Sequence, residues 1–212
     1  MQNSGYLLEK IMQRDFWLIL LGCGVLAPAV YLFSIVFAAA AYPAYRHRSQ
    51  FISELGTNVS PRAVHFNVGL GVTGVLLVVF VFGVGLSHDG NRFARFILSG
   101  LVLFGVTVAL MAFFPCDPGC PRVPTSRAGM MHSFFGLLGA LALAATTILL
   151  SLAWWSVQQL FAIYSLVTAL LSVFLLVTLM VFQAPQWQGM LQRLYAAIAF
   201  GWLLALGVML LI

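Results

Sequence analysis

Apolar residues along this chain fall into long unbroken runs, at about 16–42, 63–86, 96–114, 128–153, 160–183 and 194–212, and none contains Asp, Glu, Lys or Arg. Each run is close to the roughly 20 residues a helix needs to cross the hydrocarbon of a bilayer. Strands of a membrane barrel would instead alternate apolar and polar residues in shorter segments. The pattern predicts an all-α integral membrane protein with six transmembrane helices, a single domain over 1–212, with a short interfacial segment at 1–15. The breaks carry helix punctuation. Asp15 is placed to cap the first helix, and Ser60-Pro61 sets a cap and an N1 proline before the second. Asp89-Gly90-Asn91 reads as a turn before the third. Thr125 and Ser126 can cap the fourth, and Pro185 and Gly189 break the chain before the sixth. Trp17, Trp154, Trp155 and Trp187 fall near helix ends, at the level of an aromatic belt.

The first run, with Lys10 and Arg14 before it and Ala38 to Ala41 near its end, also has the outline of a secretory signal. It is about twice the usual 7–15-residue signal core, so an uncleaved helix is expected. Six crossings put both termini on one side and loops one, three and five together on the other, here called the loop face. Arg62, Arg127 and Arg193 each precede an even-numbered helix at a spacing of roughly 65 residues, as three related helical hairpins would. The alternative is that helix ends simply attract Arg.

Composition agrees with lipid as the main solvent: 62% of residues are hydrophobic, 7% are charged, and mean hydropathy is +1.04. Soluble domains carry about 25% charged residues. An ordinary soluble enzyme and a nucleic-acid-binding domain are excluded, and no nucleic-acid partner is expected. The net charge of +5 comes from Arg residues scattered between the runs, which suits contacts with lipid headgroups. Orientation signals conflict. Lys10, Arg14, Arg92 and Arg95 lie on the side of the termini, against Arg46, Arg48, Arg62, Arg122, Arg127 and Arg193 on the loop face. The positive-inside rule therefore favours a cytoplasmic loop face. An oxidised cysteine pair in loop three would need that face outside. The weighing favours cytoplasmic termini in the cell membrane.

No helix carries a central Asp, Glu, Lys or Arg, so an ion-coupled transporter or a proton pump is disfavoured. The sole lysine precedes the first helix, which excludes a retinal Schiff base. Chemistry is expected on the loop face. His65 and His132 each sit about one turn inside a helix there, with Glu54, Asn67, Asp117, Arg62, Arg127 and Arg193 nearby in the topology. The bland reading is polar packing for the histidines and an Arg partner for Glu54. Cys116-Asp117-Pro118-Gly119-Cys120 places two cysteines around a Pro-Gly turn, close enough for a disulfide. Free thiols, or a zinc set of Cys116 and Cys120 with His65 and His132, are the alternatives. Gly69-Leu70-Gly71-Val72-Thr73-Gly74 matches a dinucleotide fingerprint but lies inside a spanning helix, so it is read as helix packing.

Ser53-Glu54-Leu55-Gly56, then Phe66-Asn67, then Phe114-Pro115 with Asp117, then His132, in that order, resemble a bacterial six-helix membrane family catalogued as domain of unknown function 998. That family is distantly similar to DRAM/Sfk-type membrane proteins, some of which are linked to lipid organisation. The resemblance implies six helices and a loop-face cluster of Glu54, Asn67, Asp117 and His132, and supplies no reaction. The expected function is binding of a membrane lipid or other amphiphile at the loop face. Arg62, His65, Asn67, Arg127 and Arg193 are the expected ligand-binding residues. One alternative is a lipid-headgroup hydrolase or transferase using His132, Asp117 and Glu54. Another is a non-catalytic subunit packed against a larger membrane complex. The sequence leaves any cofactor unknown.

Overall fold

The computed structural model describes residues 2–87, 92–182 and 185–212, and for 2–13, 86, 87, 92 and 93 the backbone alone. Among these residues the chain is helical, with six long helices and no strand: α1 Gln2–Ala40, α2 Ala63–Ser87, α3 Arg92–Met111, α4 Arg127–Trp154, α5 Gln159–Val181 and α6 Gln188–Leu211. All six are long and apolar enough to cross a membrane, which makes this a multi-pass membrane protein. His88 and the turn Asp89-Gly90-Asn91 lie outside the described residues.

Helix starts depart from the expected ones where local chemistry was ambiguous. α1 begins at Gln2 and runs on past Asp15, through the segment expected to lie at the interface, so Asp15 lies inside a helix rather than capping one. Nothing in that stretch stops a helix, and Leu7, Leu8, Ile11 and Met12 are unremarkable helix residues. At α2 the Ser60 hydroxyl is buried with no hydrogen-bond partner, so Ser60 contributes its carbonyl, 3.3 Å from the Ala63 N–H, and not a side-chain cap. At α4 the expectation holds: the Ser126 hydroxyl accepts from the Gly129 N–H at 2.9 Å.

Each helix packs against its neighbours in sequence, and α6 closes back on α1. The result is a ring of antiparallel helices in chain order. Its interior on the terminus side is filled by Trp202, Leu203 and Leu206 of α6 with Phe80 of α2 and Leu143 of α4. The Trp202 indole N–H donates to the Ser165 hydroxyl at 2.9 Å, which satisfies the one polar atom of that ring. Among lipids no hydrophobic force draws helices together, so small residues set their approach. The glycines of α2 do this unequally. A methyl on Gly74 would press into α3, 2.6 Å from the Gly105 carbonyl oxygen and 2.7 Å from the Ala109 Cα. A methyl on Gly71 would make an ordinary 3.4 Å contact with Ala112. Gly74→Ala is therefore expected to cost about 1–3 kcal/mol of stability, as overpacking does. Gly71→Ala should leave the melting temperature near the parent value. Thermal unfolding in detergent compares the two directly.

Candidate functional site

The first loop folds down onto the bundle rather than hanging over it. Its centre is a short 3₁₀ helix, Ile52–Gly56, in which Ile52 and Leu55 are buried. Glu54 closes this turn on itself. Its carboxylate accepts from the Phe51 N–H at 2.8 Å and from the Gln50 amide at 3.0 Å. The expected Arg partner is absent: among the described residues Glu54 makes no ion pair. Asn67 donates to the Gly56 carbonyl at 2.9 Å. A side chain on Gly56 would collide with the Asn67 amide oxygen. The Ser-Glu-Leu-Gly segment and Asn67 thus form one structural joint.

Arg193 ties the other end of the loop to α6. Its guanidinium donates to the carbonyls of His47 at 2.6 Å, Gln50 at 2.8 Å and Gly189 at 2.8 Å, and to the Tyr45 hydroxyl at 2.6 Å. Tyr45 passes the chain on, donating to the Phe51 carbonyl at 2.7 Å. Burial pushes the Tyr45 phenol up, against the pull of Arg193. Burial first, and then the Arg193 charge, push the His47 imidazole down. Gly189 is needed for this approach, because a Cβ there would strike the Gln50 carbonyl oxygen and lie 2.7 Å from that of His47. It therefore admits the loop and does not break α6, which begins at Gln188. Gln192, one turn into α6, accepts from the Ile52 N–H and donates to the Ser53 hydroxyl at 3.1 Å.

Arg62 and His65 lie elsewhere. Arg62 donates to the Phe37 carbonyl at 3.1 Å, near the end of α1, and stacks 3.9 Å over the Phe37 ring. That carbonyl is in the last turn of the helix, where intrahelical donors run out. His65 is exposed and leans on the same ring, with centroids 5.6 Å apart. Arg127 is exposed at the start of α4. The three arginines of the apparent repeat therefore do three different things.

The third loop forms the other half of the loop face. Cys116 and Cys120 are joined by a disulfide, with Cα atoms 5.3 Å apart. Between them Pro118 and Gly119 make a tight turn, Gly119 at φ +77°, closed by the Cys120 N–H on the Asp117 carbonyl at 2.7 Å. Asp117 then caps the start of α4. Its Oδ2 accepts from the Thr125 N–H at 2.6 Å, the Ser126 N–H at 3.1 Å and the Thr125 hydroxyl at 3.2 Å. The Ser126 hydroxyl and these N–H donors hold its carboxyl down at about 2. Since that lies below the roughly 3.9 of an unfolded Asp, the contribution is complete above about pH 4. It is lost as pH falls through about 2. Melting temperatures should fall more steeply between pH 4 and pH 2.5 in the parent than in Asp117→Asn.

Behind this loop a cavity of about 940 Å³ opens between α3, α4, α5 and α6. Along α6 its lining runs from Gln188 to Phe200, twelve residue steps and about 18 Å at roughly 1.5 Å per residue. That is more than half the thickness of a hydrocarbon layer about 30 Å thick. Its walls are apolar, among them Phe104, Met111, Phe135, Leu176 and Leu191. Polar groups line it towards the loop face: Asp117, Arg122, His132, Ser133 and Gln188. Arg122 donates to the Met180 carbonyl in the last turn of α5, strapping loop three across to that helix.

His132 is half-buried in this wall, with Nδ1 2.8 Å from the Phe114 carbonyl oxygen. A carbonyl only accepts, so Nδ1 carries the proton and Nε2 of the neutral ring is an acceptor. Nε2 makes no hydrogen bond among the described residues. Asp117, spent on the α4 cap, does not orient His132; the Phe114 carbonyl does.

The structure thus brings together Asp117, His132, Cys116 and Cys120 at one cavity. It sets Glu54 and Asn67 in the loop-one joint, Arg193 in the loop-one staple, and Arg62 and His65 on the α1–α2 side, none of them lining that cavity. Among the described residues no three His, Cys, Asp or Glu are placed to hold a metal ion. The zinc set does not assemble, because its cysteines are bonded to each other and His65 points away. Sequence reasoning missed Arg122, Ser133 and Gln188 at the mouth. The available signal was polarity at the ends of the otherwise apolar helices α4 and α6. No curated protein and no solved structure matches this sequence. A family model described as "Protein of unknown function (DUF998)" matches residues 25–209, and the chain belongs to that family.

Proposed function

We propose that this protein binds a membrane lipid in the cavity between α3, α4, α5 and α6, with the headgroup at the loop face. One observation carries the reading: a volume of about 940 Å³ that is mostly apolar and gathers charged and polar side chains at its loop-face end. Sites for small molecules are of about 300–1,000 Å³, mostly apolar, with a few placed polar groups. The cavity is also lined by side chains that are exposed on the outside of the bundle, Phe134 at 56% on α4 and Met180 at 51% on α5. A chain could enter there from the bilayer without crossing water. The polar partners are His132, Arg122, Ser133 and Gln188, in place of the Arg62, His65, Asn67, Arg127 and Arg193 set.

The orientation we favour has the termini in the cytoplasm and the loop face outside. The disulfide supports it, since such bonds persist in oxidising surroundings. The contrary charge count has a physical explanation. Arg62, Arg122 and Arg193 are held by backbone carbonyls and serve the fold. Native mass spectrometry of the gently extracted protein tests the function. The expected spectrum shows one or two lipid-sized adducts surviving detergent release. A bare monomer at every activation energy that keeps the protein folded would overturn the proposal.

A further inference from the structure

The cavity mouth carries two opposite charges that do not neutralise each other. Asp117 and Arg122 both line it from the same loop. Among the described residues neither makes an ion pair. Asp117 is occupied by the N–H and hydroxyl groups of Thr125 and Ser126, and Arg122 by the Met180 carbonyl. Each interaction is with a neutral group, so both charges persist. A purely anionic headgroup would meet Arg122 but be repelled by Asp117. A headgroup that bears both signs satisfies both.

His132 narrows the choice further. His132 lines the cavity and its Nε2 is an acceptor without a hydrogen bond among the described residues, and the Asp117 carboxylate is an acceptor too. Two acceptors at one mouth call for a donor with several N–H bonds. A primary ammonium has three, whereas a quaternary ammonium has none. We propose that the mouth selects a zwitterionic phospholipid with a primary ammonium, its phosphate on Arg122 and its ammonium shared by Asp117 and His132 Nε2. This rests on the lipid-binding reading above and specifies the headgroup.

The test is competition in native mass spectrometry at neutral pH. The delipidated protein is offered equimolar dioleoyl phosphatidylethanolamine, phosphatidylcholine and phosphatidylglycerol. The chains are identical, so selectivity reports the headgroup alone. The parent is expected to retain the ethanolamine lipid about tenfold over each of the others, the scale of one charge-assisted hydrogen bond. Asp117→Asn should weaken both zwitterionic lipids, the ethanolamine one more, and bring the ethanolamine-to-choline ratio close to one. Arg122→Gln should weaken all three. Equal retention of the ethanolamine and choline lipids by the parent overturns the inference and leaves lipid binding standing, as does preference for the glycerol lipid. Retention of none of the three overturns lipid binding itself, and the inference with it. The parent's selectivity decides the matter even if a variant folds poorly.

Discussion

Arg193→Ala should release the first loop from the bundle and lower the melting temperature by about 6–12 °C, taking a loss of about 3 kcal/mol at roughly 2–4 °C per kcal/mol. The guanidinium binds three carbonyls and a phenol at 2.6–2.8 Å, all but one of them in the first loop. Alanine removes every donor at once. The carbonyls of His47 and Gln50 then lose their partner beside an apolar bundle, where an unmet acceptor is expensive. Arg193→Lys retains the charge and loses the planar fork, so it should recover only a minor part of the stability. If lysine restores the parent's melting temperature, the charge matters and the fork does not. Limited trypsin digestion gives a second readout. Arg46 and Arg48 are exposed in the first loop. Cleavage after them should accelerate in Arg193→Ala, and protection equal to the parent's would show that Gln192 and the buried Ile52 and Leu55 suffice to hold the loop.

The six helices were legible in the sequence because the signal is one of length. A run such as 63–86 is apolar around its whole circumference and has no soluble alternative, so its partner need not be known. The disulfide turn was legible for a different reason. Cys116 to Cys120 is a local structure, with Pro118 and Gly119 fixing the backbone in between. The gathering of polar residues at one face was likewise visible from topology. Which of them face a common space was not. Arg62, Arg122 and Arg193 look alike as loop arginines, yet each is bound to carbonyls contributed by another segment, 25, 58 and 146 residues away in the case of Phe37, Met180 and His47. Those acceptors are backbone atoms, present at every residue, so no side-chain pattern marks them. Glu54 and Asn67 show the same limit. They read as chemistry because carboxylates and amides often are, but their partners are the Phe51 N–H and the Gly56 carbonyl. A long first loop lying against apolar helices must pair its own backbone somewhere, and these residues are where it does so.

The cavity makes the strongest functional demand on the fold, and filling it should abolish lipid retention without unfolding the protein. Gly136 on α4 and Ala196 on α6 line it from facing walls. A Cβ on Gly136 would meet only the Met111 sulfur, at 3.6 Å, so a side chain can enter there without striking backbone. The double variant Gly136→Phe, Ala196→Phe projects two rings into the space. Filling a void adds van der Waals contacts and commonly stabilises by about 0.5–2 kcal/mol. A ligand site that loses its volume binds less. The expected result is a melting temperature at or above the parent's in delipidated protein, with lipid adducts reduced at least tenfold. A Val68→Phe control, on a side chain 60% exposed on α2 and outside the cavity lining, should leave adducts unchanged. Undiminished adducts in a folded double variant would mean that the retained lipid sits on the outer surface of the ring. The two outcomes separate a site built into the interior from adherence to an apolar exterior, which any membrane protein of this composition would show.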